Sequence, residues 1–167
     1  MTLIQKKICM LGASFVGKTS LVRRFVESMF SEKYHQTVGV KIDRKVVSIG
    51  NATVGLMLWD LQGEAEDQAF RPQYLRGAAG LLAVADGTNQ ATLEPALRLV
   101  ETAQTALGPV PYVLLVNKKD LAADWAFDEA ELRRLREEGH TVLVTSAKSG
   151  EGVEEAFHSL LRAMLAG

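Results

Sequence analysis

The sequence lacks several features that mark whole classes of protein. It contains one cysteine, Cys9, so no disulfide can form within the chain. No apolar run reaches the roughly 18 residues of a membrane span. Lys6 and Lys7 interrupt the start of the chain, where a secretory leader would need an apolar core. The net charge of −1 provides no overall positive field for nucleic acid or anionic lipid. Together these absences predict a soluble, cytoplasmic protein.

The composition that remains is that of one globular domain. The chain has 167 residues, of which 47% are hydrophobic and 23% charged, and we predict a single domain over residues 1–167. Short apolar runs alternate with stretches of helical period, which predicts an α/β fold with a six-stranded, mostly parallel sheet and about five helices. Strands are predicted over residues 4–11, 38–49, 53–60, 81–86, 112–117 and 141–145, and helices over 18–28, 91–107, 128–138 and 151–165. The dipeptide Gly50-Asn51 favours a tight hairpin, so the second and third strands should form an antiparallel pair at one edge.

A phosphate-binding loop lies between the first predicted strand and the first helix. Residues 12–19 read G-A-S-F-V-G-K-T, which has the form G-x-x-x-x-G-K-[ST]. The two glycines let the backbone turn so that its N–H groups face phosphate oxygens, and the helix N-terminus adds positive charge. Lys18 would reach the β and γ phosphates, and Thr19 would offer its hydroxyl to Mg²⁺. The predicted phosphate-loop residues are Gly12, Ser14, Phe15, Val16, Gly17, Lys18, Thr19 and Ser20.

Two further segments follow the fifth and sixth predicted strands, at the sheet edge where open α/β proteins bind ligands. The first is Asn117-Lys118-Lys119-Asp120 and the second is Ser146-Ala147-Lys148. The Asp120 carboxylate suits the N1–H and 2-amino donors of guanine, which adenine lacks. Asn117 would tie this loop to the phosphate loop, and the aliphatic part of Lys118 would cover the base. N-K-x-D alone is weak, but with the phosphate loop it predicts guanine recognition.

With these motifs in order, the chain resembles the Ras-like small GTPases, and most closely their Rab-type branch. The segments that carry the resemblance are residues 12–19, Thr37 within Q-T-V-G, W-D-L-Q-G at 59–63, 117–120 and 146–148. The resemblance implies a GTP/GDP switch that uses Mg²⁺. It also implies an effector that binds the GTP form, an exchange factor and an activating protein.

The resemblance also implies individual roles around the phosphates. Thr37 and Asp60 would join Thr19 at Mg²⁺, and the Gly63 N–H would bind the γ-phosphate. Tyr34 would close over the phosphates. Independently of the resemblance, Asp60 ends a strand beside the phosphate loop, where a cation needs a carboxylate. The alternative interpretation is that Asp60 only caps the end of the strand. The alternative interpretation of Thr37 is that it is an ordinary β-forming residue at the start of a strand.

Around the base, the resemblance implies that Phe30 packs across the guanine and ribose. The Ala147 N–H would meet the guanine carbonyl, between Ser146 and Lys148. The segments 31–38 and 61–75 would be the two switch loops, which are ordered by the γ-phosphate and Mg²⁺ and released on hydrolysis.

The chain departs from the family pattern at Glu64, where the family has the glutamine that orients the attacking water. A carboxylate cannot donate that hydrogen bond, and its charge near the γ-phosphate is unfavourable. We therefore predict slow hydrolysis, with Glu64, Gly63 and Lys18 as the catalytic group. The alternative is a nucleotide-binding interaction module with negligible hydrolysis. Phe15 is also unusual, because it is bulky in a loop of small residues; it either crowds an incoming partner residue or packs on the switch loops.

The C-terminus shows no lipid anchor, because the chain ends Leu165-Ala166-Gly167 without cysteine or a basic tail. This indicates either an excised domain or an unanchored protein. Cys9 itself lies in the first predicted strand and is interpreted as a small buried hydrophobic residue.

Overall fold

A six-stranded sheet forms the centre of the computed structural model, which describes residues 3–27, 40–61 and 72–166. The strands are β1 (Leu3–Leu11), β2 (Val40–Ile49), β3 (Ala52–Leu61), β4 (Ala78–Asp86), β5 (Tyr112–Asn117) and β6 (Val142–Val144). The α-helices are α1 (Lys18–Glu27), α2 (Leu93–Leu107), α3 (Glu129–Glu137) and α4 (Val153–Ala166), and three short 3-10 helices cover Pro72–Leu75, Gln90–Thr92 and Ala122–Asp124.

The sheet has the strand order β2-β3-β1-β4-β5-β6, and only the β2–β3 pair is antiparallel. Gly50 and Asn51 form the turn between those two strands, with Gly50 at a φ of +57°, a conformation that glycine adopts at little cost. The predicted α/β architecture and its antiparallel edge pair are therefore confirmed. The described residues contain four α-helices and three 3-10 helices, compared with the prediction of about five helices.

The apolar runs of the central strands fill two hydrophobic layers, one on each face of the sheet. Along β1, Ile8 and Met10 face the layer that contains α1 and α4, whereas Cys9 and Leu11 face the layer of α2 and α3. This alternation follows from the two-residue period of a strand, and burial on both faces explains why β4 and β5 are almost continuously apolar. Cys9 is fully buried, which agrees with its interpretation as a core residue.

The parallel strands direct their carboxyl ends to one edge of the sheet. The phosphate loop follows β1, and Asp60 lies at the end of β3. Asn117 ends β5, and the segment beginning at Thr145 follows β6. The predicted ligand groups of the described residues therefore converge on this edge. None of the helices in the described ranges is long and apolar enough to cross a membrane.

Candidate functional site

The phosphate loop turns sharply between β1 and α1, and its first glycine is required by close packing. Gly12 has a φ of +148°, and a Cβ at this position would lie 2.5 Å from the carbonyl oxygen of Val84 on β4. A backbone oxygen cannot move aside as a flexible side chain can. Gly17, at a φ of +104°, ends the loop, and the N–H of Leu21 donates to its carbonyl in the first turn of α1.

Lys18 is folded back into this loop. Its Nζ donates to the carbonyl oxygens of Gly12 (2.9 Å) and Ala13 (3.1 Å), and only 6% of the residue is exposed. Burial lowers the pKa of Lys18 to about 8, and the nearby Asp60 carboxylate opposes this shift. The loop therefore combines a buried ammonium group with the N-terminus of a helix, which together favour a bound anion.

Thr19 and Asp60 provide two oxygen groups in direct contact beside the loop. The Thr19 hydroxyl donates to Oδ2 of Asp60, which is 1% exposed at the end of β3. Hydroxyl and carboxylate oxygens are the ligands that Mg²⁺ prefers, and Mg²⁺ usually completes its shell with water and substrate phosphates. Within the described ranges, no group of three or more His, Cys, Asp or Glu side chains is arranged to hold a metal. The two residues thus fit a magnesium ion shared with a phosphate ligand.

Asn117 joins residues 117–120, called here the base loop, to the phosphate loop. It is fully buried, and its Nδ2 donates to the carbonyl oxygen of Val16 at 3.0 Å. The hydroxyl of Thr145 donates to Asn117 Oδ1 at 3.1 Å, so the residue that follows β6 orients the amide. Sequence reasoning did not include Thr145, although its place immediately before Ser146 is a usable signal.

Lys118 forms a second link between the two loops. Its Nζ donates to the carbonyl oxygen of Phe15 (2.8 Å) and to Oδ2 of Asp86 (2.8 Å). The side chains of Lys118 and Asp86 are only 10% and 12% exposed, so this is a buried ion pair. Sequence reasoning missed Asp86; the available signal was a carboxylate at the end of the apolar strand β4. Phe15 itself is 52% exposed.

Asp120 has a carboxylate oriented by a neighbouring loop. The buried hydroxyl of Ser146 donates to Asp120 Oδ1 at 2.7 Å, and the N–H of Ser149 donates to the same hydroxyl at 3.0 Å. Asp120 and Lys148 are exposed, whereas Ala147 is buried. The structure therefore brings the two predicted base-reading segments together and leaves Asp120 exposed.

The C-terminal end of the second predicted switch segment, together with the adjoining Arg76, is bound to β1. Lys7 is buried, its Nζ donates to the carbonyl oxygen of Arg76 at 2.8 Å, and the ammonium lies 3.5 Å from the centroid of the Trp59 ring. Burial lowers the pKa of Lys7. The Cys9 thiol donates weakly to the Tyr74 carbonyl at 3.6 Å. The sequence analysis did not assign these anchoring roles.

Comparison with known proteins agrees with this geometry. A sequence profile of the Ras family matches residues 7–166. The chain belongs to the Ras family. The Ras-related protein Rab-4B of Homo sapiens and of Rattus norvegicus is 35% identical over 161 residues, which cover 95% of this chain and 76% of the relative. The Ras-related protein Rab-4A of Danio rerio has the same identity and coverage.

Membership in the Ras family confirms the resemblance to small GTPases of the Rab type. The family hydrolyses GTP in general, uses guanine nucleotides with Mg²⁺, and acts with effectors, exchange factors and activating proteins. This chain is accordingly a small GTPase.

Several predicted site residues lie outside the described residues. They are Phe30, Tyr34, Thr37, Gly63 and Glu64. The first predicted switch segment, 31–38, is entirely outside them, and of the second, 61–75, the structure describes Leu61 and Pro72–Leu75. The site that the structure does describe consists of the phosphate loop, the Thr19–Asp60 pair and the two base-reading segments.

Proposed function

We propose that the chain is a GTP/GDP molecular switch with slow, Mg²⁺-dependent hydrolysis, built on a single domain that spans residues 1–167. The observation that carries the proposal is the direct link between base loop and phosphate loop. Asn117 and Lys118 donate to the successive carbonyl oxygens of Val16 and Phe15. One end of this linked pair favours phosphates and the other presents Asp120, so the arrangement matches the two ends of a guanine nucleotide.

In the proposed binding mode, the phosphate-loop residues surround the phosphates and Lys18 contributes its charge. The bound Mg²⁺ would neutralise charge on the phosphate oxygens. Thr19 and Asp60 would hold it, and Thr37 would do so when the γ-phosphate is present. The phosphate-binding residues proposed are Gly12, Ser14, Phe15, Val16, Gly17, Lys18, Thr19, Ser20, Tyr34 and Gly63.

At the base, the Asp120 carboxylate would accept from the N1–H and the 2-amino group of guanine. The hydrogen bond from Ser146 holds one of its oxygens in place, which reduces the reorganisation needed on binding. Adenine offers no donors at these positions, so a carboxylate covered by adenine would lose its hydrogen bonds without replacement. Phe30, Asn117, Lys118, Ser146, Ala147 and Lys148 complete the proposed base-binding set.

Glu64 is the reason to propose slow hydrolysis. Its carboxylate can accept a hydrogen bond from water but, when ionised, can donate none to the phosphate, and its negative charge opposes the charge of the γ-phosphate. An activating protein that supplies an arginine would compensate, since such a residue contributes about 10³–10⁵ to the rate in this chemistry. Glu64 also favours a second candidate, an interaction module with negligible hydrolysis.

Single-turnover hydrolysis of bound GTP, measured with Mg²⁺ and without partners, tests this proposal. The wild type should convert GTP slowly, and Glu64→Gln should be faster by at least tenfold because the amide restores the missing donor. Glu66→Gln is the matched control, because it removes a carboxylate two residues away and should leave the rate unchanged.

A rate for Glu64→Gln equal to or below that of the wild type would refute the explanation based on Glu64. The absence of any conversion in the wild type, in Glu64→Gln and with arginine-supplying activators would instead favour the module without hydrolysis.

A further inference from the structure

Two residues other than glycine have a left-handed backbone within the described ranges, and a hydrogen bond joins them. Phe15 has a φ of +67° and Lys118 a φ of +76°. The Lys118 ammonium donates to the Phe15 carbonyl at 2.8 Å. Such conformations cost free energy in residues with long or bulky side chains, and they persist only where the surrounding structure holds them.

Asp86, the last residue of β4, binds the Lys118 ammonium of this pair. Its Oδ2 accepts from the Lys118 ammonium at 2.8 Å. Its Oδ1 accepts from both the N–H (2.9 Å) and the hydroxyl (2.6 Å) of Thr88. Both carboxylate oxygens are therefore bound, and the carboxylate has a fixed orientation. The side chains of Asp86 and Lys118 are only 12% and 10% exposed, so water competes little for the pair.

We propose that Asp86 is a positioning residue for nucleotide binding, which acts by holding the Lys118 ammonium against the phosphate loop. Three separate parts of the chain meet at this ammonium: the end of β4, the base loop and the phosphate loop. Removing the carboxylate leaves the buried cation with fewer acceptors and releases it from its position. The Asn117 bond to Val16 still joins the base loop to the phosphate loop after this change.

This inference rests on the proposed function, because it assigns a role toward a guanine nucleotide. Its expected consequence is a shorter residence time of the nucleotide. Hydrogen bonds to charged groups contribute enough that losing one changes an equilibrium or a rate by roughly ten- to a hundredfold. The loss should remain partial because Asn117 still links the loops.

The first experiment measures dissociation of a fluorescent GDP analogue, with Mg²⁺ and excess unlabelled GDP, from the wild type and from Asp86→Asn. The variant keeps the size of the side chain and removes its charge. We expect dissociation to be about ten- to a hundredfold faster. Asp124→Asn is the matched control, because it neutralises an exposed aspartate just beyond the base loop and should stay within about twofold of the wild type.

A double-mutant cycle then separates positioning from general stability. If Asp86 acts through Lys118, Asp86→Asn should add nothing to dissociation in a Lys118→Met background. If Asp86 only stabilises the fold, the effects of the two substitutions on the dissociation rate should multiply. Asp86→Asn should then also lower the thermal midpoint of the nucleotide-free protein equally in both backgrounds. Thr88→Val provides a milder variant if Asp86→Asn folds poorly, since it removes one donor to Asp86 and should accelerate dissociation only when Lys118 is present.

The inference is overturned if Asp86→Asn releases GDP within twofold of the wild-type rate, or if the effects of the two substitutions multiply. These outcomes leave guanine-nucleotide binding intact. Failure of the wild type to bind any guanine nucleotide would instead overturn the proposed function, so the two failures are distinguishable.

Discussion

Lys18 lies inside the loop that precedes it, with its ammonium bound to two backbone carbonyl oxygens. Desolvation is the larger influence on its pKa, and the charge of Asp60 only partly compensates. A phosphate in the loop would add negative charge next to this ammonium and favour its protonated form. The same residue therefore stabilises the loop through its carbonyl contacts and prepares it for an anion.

The burial of Cys9 predicts that the free energy of unfolding depends on pH. Burial raises its pKa from the ordinary value of 9.0 to about 12, with Lys7 acting in the opposite direction. The folded thiol stays neutral while the unfolded thiol ionises, so its contribution to stability is fully present below pH 9 and is lost as the pH rises toward 12. Between pH 8 and pH 10 this loss amounts to about 1.4 kcal/mol.

Urea unfolding of the wild type and of Cys9→Ala at both pH values measures this contribution. The cavity left by alanine costs the same at each pH, so the stability advantage of the wild type should shrink by about that 1.4 kcal/mol. An advantage that is constant between pH 8 and pH 10 would show that the thiol ionises as easily in the folded protein as in the unfolded chain.

At the scale of single elements, α3 depends on one capping residue. Asp128 has an extended backbone, and its carboxylate accepts from the N–H of Glu131 at 2.8 Å. Asp128→Ala should lower the free energy of unfolding by about 1 kcal/mol, whereas Asp128→Asn, which can still accept this bond, should lower it by a few tenths. Urea denaturation checks both values, and equal losses in the two variants would contradict the capping role.

The start of α2 shows how side chains change an element that the sequence pattern predicts well. Helical spacing predicts a helix from residue 91, but the α-helix begins at Leu93 after a 3-10 turn. Asn89 accepts from the N–H of Ala91, and the Thr92 hydroxyl donates to the carbonyl of Asn89. These local bonds replace the first α-helical turn, and hydrophobic periodicity contains no signal for them.

The last strand is shortened for a similar reason. The sequence predicts a strand over residues 141–145, whereas β6 covers Val142–Val144. Thr145 is drawn into the site by the bond from its hydroxyl to Asn117. Strand interiors were predictable from apolar runs, whereas strand ends were less so: β4, predicted over residues 81–86, begins at Ala78.

For the whole molecule, the order of strands determines which motifs meet. Motifs separated by about a hundred residues, such as Val16 and Asn117, are in hydrogen-bond contact because their strands end at the same edge. The sequence predicts this convergence from local motifs and the rule for parallel sheets. It did not predict the Asp86–Lys118 pair, because an aspartate at a strand end is equally typical of a cap or a turn, and only the tertiary arrangement supplies its partner.

We propose above all that the linked loops select a guanine nucleotide. The most direct test is to identify the nucleotide carried by the freshly purified protein and then to compete GTP and ATP for its site in magnesium buffer. We expect bound GDP or GTP, and a preference for GTP over ATP on the order of 10⁴. Protein that carries no guanosine phosphate and cannot be loaded with one, or that prefers ATP, would contradict this proposal.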